Sequence, residues 1–159
     1  MARRATIRAG WRLAAAILLL PAASAADNSG PPLRFYADLS ADEQSTTTIS
    51  NGSGRADFSL ERATLRLSWR VSFGHLTSAV VGAAVHGPQR PGTNAGVQLD
   101  LGATSRVAVL QGSAVLTDAQ LQYLLAGRMY VNIRTRKYPD GELRGQIQRL
   151  PLTARGNSS

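Results

Sequence analysis

The chain has 159 residues, with 18 lysines and arginines against 10 acids, a formal charge of +8, and no cysteine. The missing cysteine excludes disulfide staples, thiolate chemistry and cysteine-ligated zinc or iron–sulfur sites. The charge is concentrated at the start: without residues 1–25, the remaining 134 residues hold 14 basic and 10 acidic groups, or +4. With no basic run and no interleaved aromatics, that balance argues against nucleic acid as a partner.

The first 25 residues have the three zones of a secretory signal. Arg3, Arg4, Arg8 and Arg12 form a positive start, residues 13–20 (LAAAILLL) an apolar run, and Ala23-Ser24-Ala25 a small-residue cleavage site. The apolar run falls well short of the roughly 20 residues that cross a bilayer, so no membrane anchor is expected after cleavage. A periplasmic or secreted location follows. Arg3-Arg4 also fits twin-arginine export, although Thr6 stands where that signal prefers an apolar residue. All basic residues except Lys137 are arginine, a skew typical of a GC-rich bacterial genome. Residues 26–32 (ADNSGPP) read as a flexible leader and 151–159 as a flexible tail, leaving one domain over 33–150.

Within that domain the apolar period is mostly two. Strands are expected over 33–39 (LRFYADL) and over 54–60 (GRADFSL), the second following a hairpin turn at Asn51-Gly52. The clearest alternation is 64–73 (TLRLSWRVSF), with Leu65, Leu67, Trp69, Val71 and Phe73 on one face. The run 79–85 (AVVGAAV) suggests a strand buried on both faces, and 97–101 and 107–116 are further strands. Thr117, with Gln120 in the capping-box position, opens a short helix carrying Leu121, Leu124 and Leu125 and stopped at Gly127. Residues 129–138 (MYVNIRTRKY) alternate again. Pro139-Asp140-Gly141 makes a turn, and 142–150 returns as the last strand with Leu143, Ile147 and Leu150 inward. Short strands punctuated by turns predict an all-β, antiparallel Greek-key sandwich or barrel with one short helix.

Catalytic signals are lacking. His75 and His86 are the two imidazoles, Gly112-Ser113-Ala114 lies inside a strand pattern, and the acids are scattered at turns and polar faces. There is no phosphate loop or dinucleotide fingerprint. No catalytic residue, cofactor or metal ligand is assigned.

Residues 84–88 (AVHGP), 116–127 (LTDAQLQYLLAG), 128–135 (RMYVNIRT) and 139–147 (PDGELRGQI) together resemble the chordin-domain (CHRD) family, whose members carry A-H-I-H-G-P and Y-V-N-I-H-T-x-x-x-P-x-G-E-I-R-G-Q patterns. The resemblance spans about 33–150 and is most specific in its last stretch. It implies an extracellular module with an immunoglobulin-like or superoxide-dismutase-like β-barrel. The growth-factor antagonism of animal members is not carried over to a small bacterial-type chain. Of the family's three histidines only His86 is kept, and the others are Ala84 and Arg134. The guanidinium beside an imidazole favours an anion or carboxylate contact over a metal, with Glu142 as a candidate partner of Arg134. The binding candidates are therefore His86, Arg134, Glu142 and Asn132. Gly87, Pro88, Tyr130, Pro139, Gly141, Gly145 and Gln146 read as scaffold, with Asn132 and Gln146 bonding across strands and Tyr130 and Tyr138 covering the sandwich edge. The leading expectation is a non-enzymatic binding or structural module for an unknown protein or extracellular ligand. The alternative is a copper- or zinc-binding or dismutase-like protein using His86 and His75.

Overall fold

A computed structural model describes residues 30–90, 93–102 and 109–151. The expected signal peptide, most of the leader, most of the tail and the first two residues of the 107–116 strand lie outside the described residues.

The alternating segments form β1 (Leu33–Ser40), β2 (Ser53–Glu61), β3 (Arg66–Gly74), β4 (Val80–His86), β5 (Val97–Asp100), β6 (Val109–Val115), β7 (Tyr130–Thr135), β8 (Leu143–Gln146) and β9 (Gln148–Arg149). One helix, α1 (Asp118–Leu125), sits between β6 and β7. All pairings are antiparallel, in the order β5-β4-β7-β8-β1-β2-β3-β6, with β9 also on β1. The meander β1–β3 and the hairpins β4–β5 and β7–β8 are linked by crossovers, so the sheet wraps into a nearly closed, all-β barrel or sandwich.

Period two explains the core. In β3, Leu67, Trp69 and Val71 are buried between exposed Arg66, Ser68, Arg70 and Ser72. β1 contributes Leu33, Phe35, Ala37 and Leu39, and β2 contributes Ala56, Phe58 and Leu60. From the other half come Val85, Val131, Ile133 and Leu143. Each fully buried large side chain contributes about 1.5–3 kcal/mol. β4 is buried on both faces along most of its length, as its apolar run requires.

Close approach fixes the seam between the halves. A Cβ on Gly145 would overlap the Asp38 carbonyl, so β8 reaches β1 only with glycine there. Ile147 interrupts the last strand: its amide bonds the Met129 carbonyl, and β9 continues onto β1. The helix forms as its caps dictate. Gln120 N–H donates to the Thr117 hydroxyl, Thr117 N–H donates to the Gln120 side chain, and Gly127 follows at φ +64.

Four expectations change. Asn51-Gly52 is not a two-residue hairpin turn: β1 and β2 pair from Ser40–Ser53 outward, so the connection is the long segment 41–52. Leu65 leaves the strand, at φ +53 ahead of β3. Leu150 is 37% exposed rather than inward, because it lies three residues beyond buried Ile147 and so out of phase with the inward positions 143, 145 and 147. Tyr130 is buried at 2% instead of covering an edge.

Candidate functional site

The side chains at even positions of β7 leave the core and face the opposite side of the sheet. Register sets His86 against Tyr130, Ala84 against Asn132, Gly82 against Arg134, and Asn132 against Arg144. His86, Tyr130, Asn132, Arg134 and Arg144 therefore share the outer face of β4–β7–β8.

Two loops cover part of that face. From the β1–β2 connection, Gln44 donates to the Asn132 side-chain oxygen at 3.0 Å and Ser45 donates to Asn94 at 2.9 Å. From the β4–β5 connection, Asn94 accepts from the Arg144 guanidinium at 3.1 Å, and the Thr93 carbonyl accepts from it at 2.6 Å. Asn132 in turn donates to the Asp140 carbonyl at 2.9 Å. Gly141, at φ +146, is required at this point because a Cβ would overlap Asn132 and Gln44.

Arg144 is 2% exposed and touches no carboxylate among the described residues. Its guanidinium lies 3.6 Å from the centre of the Tyr130 ring, and His86 stacks on Tyr130 at 5.1 Å and 14°. The cation is held by a π face and two oxygen acceptors instead of an acid. Burial holds the Arg144 guanidinium below its usual range, with Tyr130 and Glu43 pulling the other way.

His86 Nδ1 lies 2.9 Å from the Ala95 carbonyl, so Nδ1 carries the proton. Nε2 then bears the lone pair, buried and with no hydrogen-bond partner. Burial chiefly lowers the His86 pKa; the Ala95 contact opposes this, and the charges of Arg134 and Arg144 add to it.

Arg134 is exposed, and its guanidinium lies flat over Gly82, where a Cβ would meet it at 2.5–3.0 Å. Among the described residues no acid pairs with it.

Glu142 does not join this group. Its side chain turns to the side of Thr135 and is fully buried. There it accepts from Ser50 Oγ at 2.6 Å, Thr135 Oγ1 at 2.6 Å, Thr77 N–H at 2.7 Å and Thr77 Oγ1 at 3.0 Å. Burial pushes this carboxyl up, and the hydrogen bonds from Ser50, Thr135 and Thr77 together outweigh it, so the pKa lies below the ordinary glutamate value. Glu142 is an uncharged-partner knot tying the 49–52, 75–79 and 139–142 segments together. Its expected pairing with Arg134 is replaced by these four bonds.

A CHRD domain family model matches residues 35–147. The chain belongs to the CHRD family. A chordin from Danio rerio is 32% identical over 123 residues, which cover 75% of this chain and 13% of that protein. The chain thus spans only a small part of the length of that relative. No solved structure matches it.

In CHRD terms, the positions that are histidine in the motif patterns are 84, 86 and 134, and they do lie on one face. What stands there is Ala84, His86 and Arg134. A copper or zinc ion does not fit this set. Nε2 of His86 is the one unpartnered imidazole nitrogen of this face among the described residues, Arg134 repels a cation, and no group of three or more metal-ligating side chains occurs among the described residues. His75 is no help, since it lies in the connection before β4 while His86 ends that strand, which from Val80 to His86 is itself about 20 Å long.

The remaining motif positions carry the fold. Gly87 packs on the Arg128 carbonyl and Met129 beside a cis peptide to Pro88. Gln146 donates to the Gly127 and Met129 carbonyls. Tyr138 donates to the Ile49 carbonyl and Tyr130 accepts from Ala95 N–H. Ser113 belongs to β6, where it pairs with Ser68 and accepts from Arg66, away from any base. Sequence reasoning missed Arg144, Gln44 and Asn94. Arg144 was findable, two residues beyond Glu142 in the most specific motif and opposite Asn132 in register. Gln44 and Asn94 lie in aperiodic loops with no such signal.

Proposed function

We propose that the chain is an exported, non-enzymatic CHRD module that binds an extracellular partner through the outer face of β4–β7, with Arg134 contacting an acidic group. The observation that carries this is Arg134 itself. It is an exposed guanidinium laid on a glycine, with no acid beside it among the described residues, so its fork is available to a carboxylate or phosphate. The non-enzymatic part rests on how the buried ionisable groups are used. Glu142, Arg144 and the Nδ1 of His86 each spend their hydrogen bonds inside the fold, and none forms a nucleophile–base pair. Export rests on the signal-like residues 1–25, in keeping with the extracellular character of the family. No helix among the described residues is long and apolar enough to cross a membrane.

The test is a titration with polyglutamate followed by amide and guanidinium resonances. Shifts centred on Arg134 and Gly82, lost in Arg134→Ala, are expected. Uniform shifts, or shifts unchanged in that variant, would contradict the reading. The export half is checked by N-terminal sequencing of the processed chain, expected to begin at Ala26.

A further inference from the structure

A second site lies beside the helix, away from the outer face. Between β1, the β2–β3 turn and α1 is a cavity of about 440 Å³. Its walls are apolar: Leu60, Leu65, Leu121 and Leu125 face it, and the charged residues that line it, Arg62 and Arg149, are both cationic. None of these residues belongs to the outer face described above.

Two features show that this is a built concavity rather than a packing gap. Leu65 stands at φ +53, a conformation that a glycine or asparagine adopts readily and a leucine only under strain. Its carbonyl accepts from Leu116 N–H, which ties the turn to the start of the helix, and its side chain forms wall instead of joining the β3 alternation. The helix is used asymmetrically. Leu124 is buried in the core at 1%, whereas Leu125 is 42% exposed and is held at the mouth of the cavity.

Volume and charge narrow the occupant. The cavity falls within the roughly 300–1,000 Å³ of sites that take one small ligand. Aliphatic walls favour an alkyl chain, and cationic residues alone among the charged liners favour an anionic head. The geometry points to a binding site for a single-chain amphiphilic anion, with its chain against Leu60, Leu65, Leu121 and Leu125 and its carboxylate, sulfate or phosphate head on Arg149 and Arg62. The role belongs to a free molecule in solution, and it is independent of the partner contact at Arg134.

The experiment is calorimetric titration of the purified chain with dodecanoate, dodecanol and dodecyltrimethylammonium below their micelle-forming concentrations. Saturable one-to-one binding of dodecanoate is expected, at least about tenfold tighter than that of the cationic analogue. Leu125→Glu, at an exposed position that leaves the core intact, should weaken dodecanoate about tenfold or more. Arg149→Glu should weaken dodecanoate about fivefold or more and bring the cationic analogue level with it. A melting curve on each variant confirms that it is folded. Absence of saturable dodecanoate binding up to about 1 mM, as when the chain's own ends fill the cavity, would overturn the proposal. So would equal affinity for the three probes, or affinity unchanged in both folded variants.

Discussion

Glu142 and Arg144 are two residues apart in the sequence, are both buried, and never meet. Each is stabilised by neutral groups: hydroxyls and an amide for the carboxylate, a carbonyl, a side-chain amide and a ring for the guanidinium. Removing either end of such an arrangement leaves buried partners unsatisfied. Glu142→Ala is expected to destabilise the fold by about 2–4 kcal/mol, measured by urea denaturation. Because the folded pKa of Glu142 lies below the ordinary value, the unfolded chain binds its proton more tightly. That contribution is full above the ordinary glutamate value of 4.5 and is lost as pH falls through the folded value. Melting temperature should drop across that acid range, and Glu142→Gln should flatten the drop. His86 behaves in the same sense at higher pH: its folded pKa is lowered, so its contribution is complete above the ordinary value of 6.5 and is lost as pH falls below it. An NMR titration should place its midpoint below 6.5. Glycines separate by what they face. Gly145→Ala sets a Cβ against the Asp38 backbone and should cost about 3 kcal/mol or more, whereas at Gly82 the obstacle is the flexible end of Arg134 and the cost should stay near 1 kcal/mol or less.

At the level of elements, local rules held where the partners were local. The helix was legible because Thr117, Gln120 and Gly127 satisfy their bonds within eleven residues. Thr117→Ala should therefore cost about 1 kcal/mol, and Leu124→Ala about 2–5 kcal/mol, both read as shifts in the denaturation midpoint. The strands of 33–40, 66–74 and 130–135 were legible because each has one wet face or an alternating partner set. The failures have tertiary causes. Asn51-Gly52 carries a hairpin signature, yet Gly52 donates to Ser50 Oγ and Ser50 itself is committed to Glu142, which draws the segment into the polar knot. Leu65 matches the β3 period but belongs to the turn, where the cavity and the Leu116 amide set its conformation. Arg134 and Glu142 looked paired because a guanidinium seeks a carboxylate and Glu142 stands in the same motif stretch. Glu142 precedes β8, and its side chain is held instead by Thr135, Ser50 and Thr77.

For the whole molecule, the antiparallel barrel and helix α1 followed from periodicity and caps, while the site was legible only as a set of positions. Residues 84, 86 and 134 share a face, as alternation requires, and the substitutions at two of them decide its chemistry. The face carries one free imidazole lone pair beside two arginines, and in the proposed function it is the place of an anionic partner and not of a metal ion. The loops that cover it, 41–48 and 93–96, could not be read because their contacts join residues up to 88 positions apart. The most direct measurement is the metal content of the purified chain and of His86→Ala after exposure to copper and zinc. Well under one ion per chain, unchanged by the substitution, is the expected result. One copper or zinc per chain, lost in His86→Ala, would contradict the account.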